Sequence, residues 1–452
     1  MIDYTNQKVY LVIDLKSFYA SVECVERGLD PMKALLVVAD PERTEKTICL
    51  AVSPAMKALG VKNRCRVFEI PKTIDYIMAP PRMQKYIDYA ADIYGVYLQY
   101  IAPEDIYVYS VDEAFLDVTK YLKLYNKTPK EMAIFLMEQV KENVGVRATC
   151  GIGTNMYLAK IALDITAKHA PDFIGELDEK AFCETLWNYK PLTDFWRIGP
   201  GIASHLARMG IYTIGQLAHY DEEILYREFG KDAELLIDHA WGREPVTIKD
   251  IKAYKPKTHS MCQGQVLMAD YAFEDGKLII KEMTDQLCLD LVKKNMVTNS
   301  MTLVVGYSKD SGLRNKSNGN APWIKYAGAM IGATASIDVA TNSDSVWVPK
   351  LAELFSELVD HHLKIRRVYI NANNIVPDNQ EMQLSLFGAA PEKLEDDKKL
   401  QETMIAIKSK FGKNSILKAM DYEEKAMTKT RNMQIGGHKA NGKETNGPDG
   451  RI

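Results

Sequence analysis

The chain has 452 residues, 46% hydrophobic and 26% charged, with a formal net charge of −3; this is ordinary soluble composition, long enough for two to four folded domains, and it excludes a chain that is disordered throughout. No apolar run of ~18 residues and no secretory leader stand in it, so a membrane protein is not expected and a cytoplasmic location is. Seven cysteines, scattered without a C-x-x-C pair, argue against a disulfide framework or a zinc site, and the negative charge confines any nucleic-acid surface to a local basic patch.

In chain order, Val9 to Ile13 is a continuous apolar run, the pattern of a strand buried on both faces, and it ends abruptly in the carboxylate Asp14. A helix follows at once: Phe18, Val22 and Val25 repeat at i, i+4 and i+7, while Tyr19, Glu23 and Glu26 fall on the other side. Ala34 to Asp40 and Ile48 to Val52 read as strands joined by the charged turn PERTEKT, and a short helix from Pro54 to Leu59 closes at Gly60. A tyrosine-rich helical pattern runs from Pro81 to Leu98. In the stretch Tyr107 to Asp117, YVYSVDEAFLD, apolar residues flank Asp112 and Glu113. Neighbouring side chains point to opposite faces of a strand, so this pair implies a tight turn between two strands. Asp14, Asp112 and Glu113 are thus three carboxylates at strand ends, the set that two divalent cations need. Magnesium, a hard ion, prefers carboxylates, carbonyls, water and phosphate oxygens.

After a helix from Pro129 to Asn143, ATCGIG (Ala148 to Gly153) reads as a buried strand running into a glycine turn that opens a helix from Asn155 to Lys168. Backbone N–H groups at such a helix start, together with the cation Lys160, suit an anion. Phe195 to Leu217 fits a helix-hairpin-helix, with Gly199, Pro200 and Gly201 as the hairpin and Ala203, Leu206 and Ala207 packing the second helix. Trp241 to Lys257 lacks clear periodicity, carries Arg243, Lys249, Lys252, Lys255 and Lys257, and reads as a basic linker. Beyond it the order is strand (Thr258 to Leu267), helix (Phe273 to Lys294), strand (Met301 to Ser308), strand (Ala329 to Val339), helix (Val346 to Leu358) and strand (Ile365 to Asn373), with Lys364, Arg366 and Arg367 offering a basic face. The polar loop Asp378 to Pro391 holds a short apolar anchor, Gln383-Leu384-Ser385-Leu386-Phe387. A helical piece, Leu394 to Phe411, follows, and the polar, glycine-rich chain from Lys425 is expected to be disordered.

DLKSFYASVE together with YSVDEAFLD resembles the two catalytic motifs of the Y-family, or translesion, DNA polymerases, and the resemblance covers roughly residues 8 to 376. It implies an α+β multidomain, right-hand polymerase. The expected parts are a palm (1–33 and 79–170), fingers (34–78), a helix-hairpin-helix thumb (171–242), a basic linker (243–257), a βαββαβ little finger (258–376), a clamp-binding peptide with a small helical segment (377–424) and a tail (425–452). Carried over residue by residue, Asp14, Asp112 and Glu113 are the catalytic metal ligands and the Leu15 carbonyl a further one, for two Mg2+ ions. Tyr19 takes the steric-gate position, where its ring meets a 2′-hydroxyl on the incoming sugar. SPAMKALGV lies over the triphosphate, with Lys57 as a basic phosphate ligand and Pro54 where a tyrosine is common; Lys160 is a second phosphate ligand. Gly199, Gly201, Lys252, Lys255, Lys257, Arg366 and Arg367 are expected on DNA, positioning the duplex without reading its sequence. QLSLF resembles the peptide by which bacterial polymerases dock on the sliding clamp, with Gln383 for hydrogen bonds and Leu384, Leu386 and Phe387 for an apolar pocket.

The implied activity is template-directed addition of dNTPs to a primer 3′-hydroxyl in damage tolerance of the SOS type. The implied partners are primer–template DNA, dNTPs, a sliding clamp and SOS accessory proteins, with no membrane. Length, SPAMK and the QIGGHK tail resemble the UmuC-type group of Gram-positive bacteria more than DNA polymerase IV. Two other classes compete. A non-catalytic DNA-binding accessory of this fold would have no reason to keep three carboxylates and a gate tyrosine, and a two-metal nuclease or nucleotide cyclase on a similar palm would not need thumb, linker and clamp peptide.

Overall fold

The strand that carries Asp14 is the middle one of five. The computed structural model describes residues 2, 4, 7–256, 259–311, 329–378 and 391–441, and these form two units: Met1–Tyr254 joined by the chain from His438 onward, and Lys255–Gly437.

In the first unit, β1 (Tyr10–Leu15) leads through Lys16 and Ser17, the latter left-handed at φ 49°, directly into α1 (Phe18–Val25). There follow β2 (Leu36–Val38), β3 (Ala51–Val52), α2 (Pro54–Ala58), β4 (Ile77–Ala79), α3 (Met83–Leu98), β5 (Ile106–Val108), β6 (Glu113–Asp117), α4 (Thr119–Tyr125), α5 (Pro129–Val144), β7 (Ala148–Gly153), α6 (Met156–Ile161) and β8 (Ile174–Leu177). The main sheet runs β5-β6-β1-β7-β8, and a smaller one runs β3-β2-β4. Leu11, Ile13, Leu116, Cys150 and Ile152 bury one face of the main sheet under α1, α3 and α5. Tyr10, Val12 and Phe115 bury the other under α6. That two-sided burial is why β1 reads as an unbroken apolar run.

Helix α6 lies almost in contact with the sheet backbone. A Cβ on Gly153 would fall 2.2 Å from the Ala159 nitrogen, and one on Gly151 2.0 Å from the Ala159 carbonyl oxygen, so only glycine permits this approach. The helix expected over Asn155 to Lys168 is α-helical only to Ile161; Ala162–Thr166 widens into a π-turn.

Next come α7 (Glu179–Leu186), α8 (Pro200–Arg208), α9 (Ile214–Ala218), α10 (Glu222–Phe229) and α11 (Asp232–Ala240), packed around Phe182, Phe195 and Leu206. Ahead of Gly199 the chain makes only the single 3-10 turn Leu192–Asp194, not a full first helix, and Gly199 is the N-cap of α8. The stretch read as an aperiodic linker contains α12 (Ile248–Ala253), started by a Thr247–Asp250 capping box, with Ile248 buried beside Tyr10 and Phe115. Six residues are too few for a period to show, while the cap was visible.

The second unit is β9 (Met261–Tyr271), α13 (Phe273–Lys293), β10 (Met296–Tyr307), β11 (Met330–Thr341), α14 (Asp344–Leu358) and β12 (Ile365–Asn373), with sheet order β11-β10-β12-β9 and both helices on one face. Then come α15 (Pro391–Phe411) and α16 (Thr428–Asn432). The expectation of disorder from Lys425 fails for the described part of that segment. Glu282, 1% exposed in α13, accepts the Met427 and Thr428 backbone N–H groups at 2.9–3.0 Å. A buried carboxylate must find donors, and polar composition cannot reveal that a distant one is waiting. Further on, Lys439 pairs with Asp40 and Glu42, at 3.3 and 2.6 Å, and the Ala440 carbonyl accepts the Gln84 N–H.

Candidate active site

Antiparallel pairing of β1 with β6 sets Asp14 directly opposite Glu113, as Val12 is set opposite Phe115, so both carboxylates emerge on the face covered by α6. Asp112 belongs to the tight turn between β5 and β6. Its carbonyl accepts the Leu15 N–H at 2.9 Å, and its carboxylate accepts the Ser110 hydroxyl at 2.7 Å. The structure therefore brings Asp14, Asp112 and Glu113 together at one end of the sheet, with Leu15 buried as the last residue of β1. An apolar pocket of about 530 Å3, lined by Ala90, Tyr94, Tyr97, Val108 and Val111, reaches Asp112 and Glu113.

Burial raises the proton affinity of Asp14 and Glu113. Burial, then the charges of Asp112 and Glu113, push Asp14 up to about 7, with Lys168 and Lys160 opposing. Burial also raises Glu113, against the pull of Lys160. The Lys160 ammonium lies 2.9 and 2.8 Å from the two Glu113 oxygens, but only Oε2 receives a well-directed hydrogen bond. Lys160 also reaches Asp164 at 3.1 Å, and Asp164 in turn holds Lys168 at 2.9 Å. With Glu113 turned to Lys160 and Asp112 to Ser110, no three acid, thiol or imidazole groups among the described residues converge into a ready metal cage. The donor set still fits hard divalent cations: hard oxygen ligands at strand ends, an excess of negative charge, and a buried Glu113 oxygen without a directed donor.

Tyr19 is half-buried on α1 and its ring stacks on that of Tyr86, centroids 4.5 Å apart and planes 15° off parallel. Tyr86 is anchored in turn, its hydroxyl donating to Glu23 at 2.8 Å. Glu23, expected on the outer side of its helix, is fully buried. Arg82 donates to both of its oxygens, at 2.9 and 2.8 Å, and Arg27 pairs with it as well. Helical spacing had placed Glu23 correctly relative to Tyr19; it could not show that α3 closes over that side.

Lys57, on α2, is held below the usual lysine value by burial of its ammonium, with Asp14 pulling the other way. Gly199 and Gly201 are exposed at the start of α8, with open space where a Cβ would stand. Lys252 is exposed on α12, but its ammonium donates to the Pro103 carbonyl. Lys255 is exposed; Lys257 lies outside the described residues. In the second unit, Arg367 sits in register between Val266 and Gly306 on the sheet face away from the helices, and Arg366 pairs with Asp270 at 3.4 Å. Gln383, Leu384, Leu386 and Phe387 also lie outside the described residues.

Asp164 and Lys168 were missed, although a signal was present. Lys160, Asp164 and Lys168 stand four apart with alternating charge, the spacing of neighbours on one helix face.

Comparison with known proteins gives a consistent result. The model of the impB/mucB/samB family matches residues 13–164, and that of the impB/mucB/samB family C-terminal domain matches residues 258–386. A Bacillus subtilis protein named for UV-damage repair, UvrX, is 32% identical over 97% of this chain and all of its own length. A DNA polymerase IV 2 of the same organism is 30% identical over 96% of this chain and 99% of its own. Among solved structures, a Y-family DNA polymerase chimera of Dbh and Dpo4 superposes with a TM-score of 0.61 at 21% identity, covering 82% of this chain and 99% of its own, which is a likeness of fold.

Proposed function

The chain belongs to the impB/mucB/samB family of Y-family, UmuC-like DNA polymerases, and we propose that it copies damaged DNA by adding dNTPs to a primer 3′-hydroxyl at Asp14, Asp112 and Glu113. The observation that carries the assignment is the pairing of Asp14 with Glu113 across the two central strands, with Asp112 beside them in the turn. In this reading the three carboxylates and the Leu15 carbonyl hold two Mg2+ ions. Bound there, the ions lower the pKa of the primer hydroxyl and offset charge on the pyrophosphate leaving group. The protein's own groups do the rest. Lys57 and Lys160 bind the triphosphate oxygens, and Tyr19, braced by Tyr86, closes the space a 2′-hydroxyl would need. Gly199 and Gly201 offer backbone N–H groups to the duplex backbone, and Lys252, Lys255, Lys257, Arg366 and Arg367 offer cations, without base-specific contact.

The name of UvrX supports a role in DNA-damage repair; SOS induction and its accessory proteins belong to the same proposal. So does docking on a sliding clamp through Gln383, Leu384, Leu386 and Phe387. Primer extension on a defined template with Mg2+ and dNTPs tests the central assignment. Template-dependent extension supports it, while absence of extension, or hydrolysis of DNA in its place, overturns it.

A further inference from the structure

Resting on the reading of Asp14, Asp112 and Glu113 as cation ligands, we propose that Asp164 is a positioning residue that takes Lys160 over from Glu113. Without a divalent cation the ammonium bridges the two carboxylates. Once Glu113 turns to a cation, Asp164 retains the lysine at the edge of the site.

Three observations support this exchange. Lys160 is almost completely buried, its side chain 9% exposed, and an unpaired ammonium at that depth is costly, so it can leave Glu113 only for another acceptor. Asp164 is that acceptor, already 3.1 Å away through one oxygen while its other oxygen holds Lys168 at 2.9 Å. The Lys168 contact fixes the Asp164 carboxylate whether or not Glu113 shares the ammonium. Glu113 is the nearer partner, at 2.9 and 2.8 Å, yet its Oε1 receives no directed hydrogen bond and is the oxygen open to a cation. Both carboxylates stand on rigid supports: Glu113 begins β6 in register with Asp14, and Asp164 lies in the π-turn that continues α6, pressed onto β7 at Gly151 and Gly153. The flexible lysine side chain is then the part that moves.

Binding of Mn2+ alone, without nucleotide or DNA, is the test, read by electron paramagnetic resonance of the free ion. Lys160→Met removes the competitor for Glu113 and should bind Mn2+ about tenfold more tightly than the parent; Asp164→Asn leaves Lys160 on Glu113 and should bind several-fold more weakly. Lys160→Gln, expected to change binding by the same factor, replaces the methionine variant should that one not fold. The deciding measurement is the double variant. If Asp164 acts through Lys160, Asp164→Asn changes nothing in the Lys160→Met background; if it acts only through its charge, it weakens binding equally in both. Equal weakening, or a Lys160→Met variant no tighter than the parent, overturns the exchange. Undiminished Mn2+ binding by Asp14→Asn overturns the underlying cation site instead, and the exchange with it.

Discussion

Replacing Asp14 by Asn should make the protein more stable and inactive at once. Asp14, next to last in the central strand, holds its carboxylate part-buried beside Asp112 and Glu113, and its pKa is pushed from 3.8 up to about 7. A carboxylate with a raised folded-state pKa favours the folded protein while protonated. Stability is therefore full below the unfolded value near 4, falls as pH rises toward 7, and stays low above it. The whole shift corresponds to about 4 kcal/mol at 1.36 kcal/mol per pH unit; allowing for water reaching the carboxylate, about 2 kcal/mol is expected. Asp14→Asn cannot ionise, so in Mg2+-free buffer at pH 8 it should gain that amount, about 5 °C in the calorimetric melting of the first unit. At pH 5 the gain should be less than half as large. Added Mg2+ should reverse the order, since a ligand of the folded state at a hundred times its Kd stabilises the parent by about 2.7 kcal/mol and should do little for the variant. No gain at pH 8, or an equal gain at both pH values, would refute the electrostatic account of this site.

Asp112→Ala or Glu113→Ala should lower primer extension at least a thousandfold or so while leaving duplex binding nearly intact; near-normal extension by either removes these residues from the chemistry. Tyr19→Ala, which opens the space beside Tyr86, should reduce the preference for dNTPs over rNTPs by about a hundredfold, and an unchanged ratio in single-nucleotide insertion would place the gate elsewhere. Gly153→Ala would drive a methyl group to 2.2 Å from the Ala159 nitrogen and should cost at least ~3 kcal/mol of stability in denaturant titration; a neutral result would mean that α6 can lift from the sheet. Changing Leu386 and Phe387 together to alanine should leave single-nucleotide insertion at saturating DNA unchanged but abolish stimulation of longer synthesis by a sliding clamp, because a tether worth ~100-fold in apparent affinity is lost. Full stimulation of the double variant would exclude QLSLF as the docking peptide.

What could be read from the sequence, and what could not, divides along a physical line. The apolar run Val9 to Ile13 and the apolar residues flanking Asp112 and Glu113 are local patterns, and they located the central strands because a strand buried on both faces leaves little choice of residue. The order βαββαβ was legible for the same reason, each element being long enough to show its period. Pairings between distant charges were not legible. Glu23 finds Arg82 fifty-nine residues on, and Glu282 finds the Met427 and Thr428 backbone after about one hundred and forty-five; in each case nothing near the carboxylate in sequence marks its partner. Lys160 falls between these cases. Its partner Asp164 is local and was visible as a charge four residues away, whereas Glu113 lies forty-seven residues back and is reached only because two glycines let α6 settle on the strand. The sequence-level reading therefore gave Lys160 one role, on phosphate, while its position between Glu113 and Asp164 gives it a second: holding charge balance at the carboxylates before any cation or nucleotide arrives.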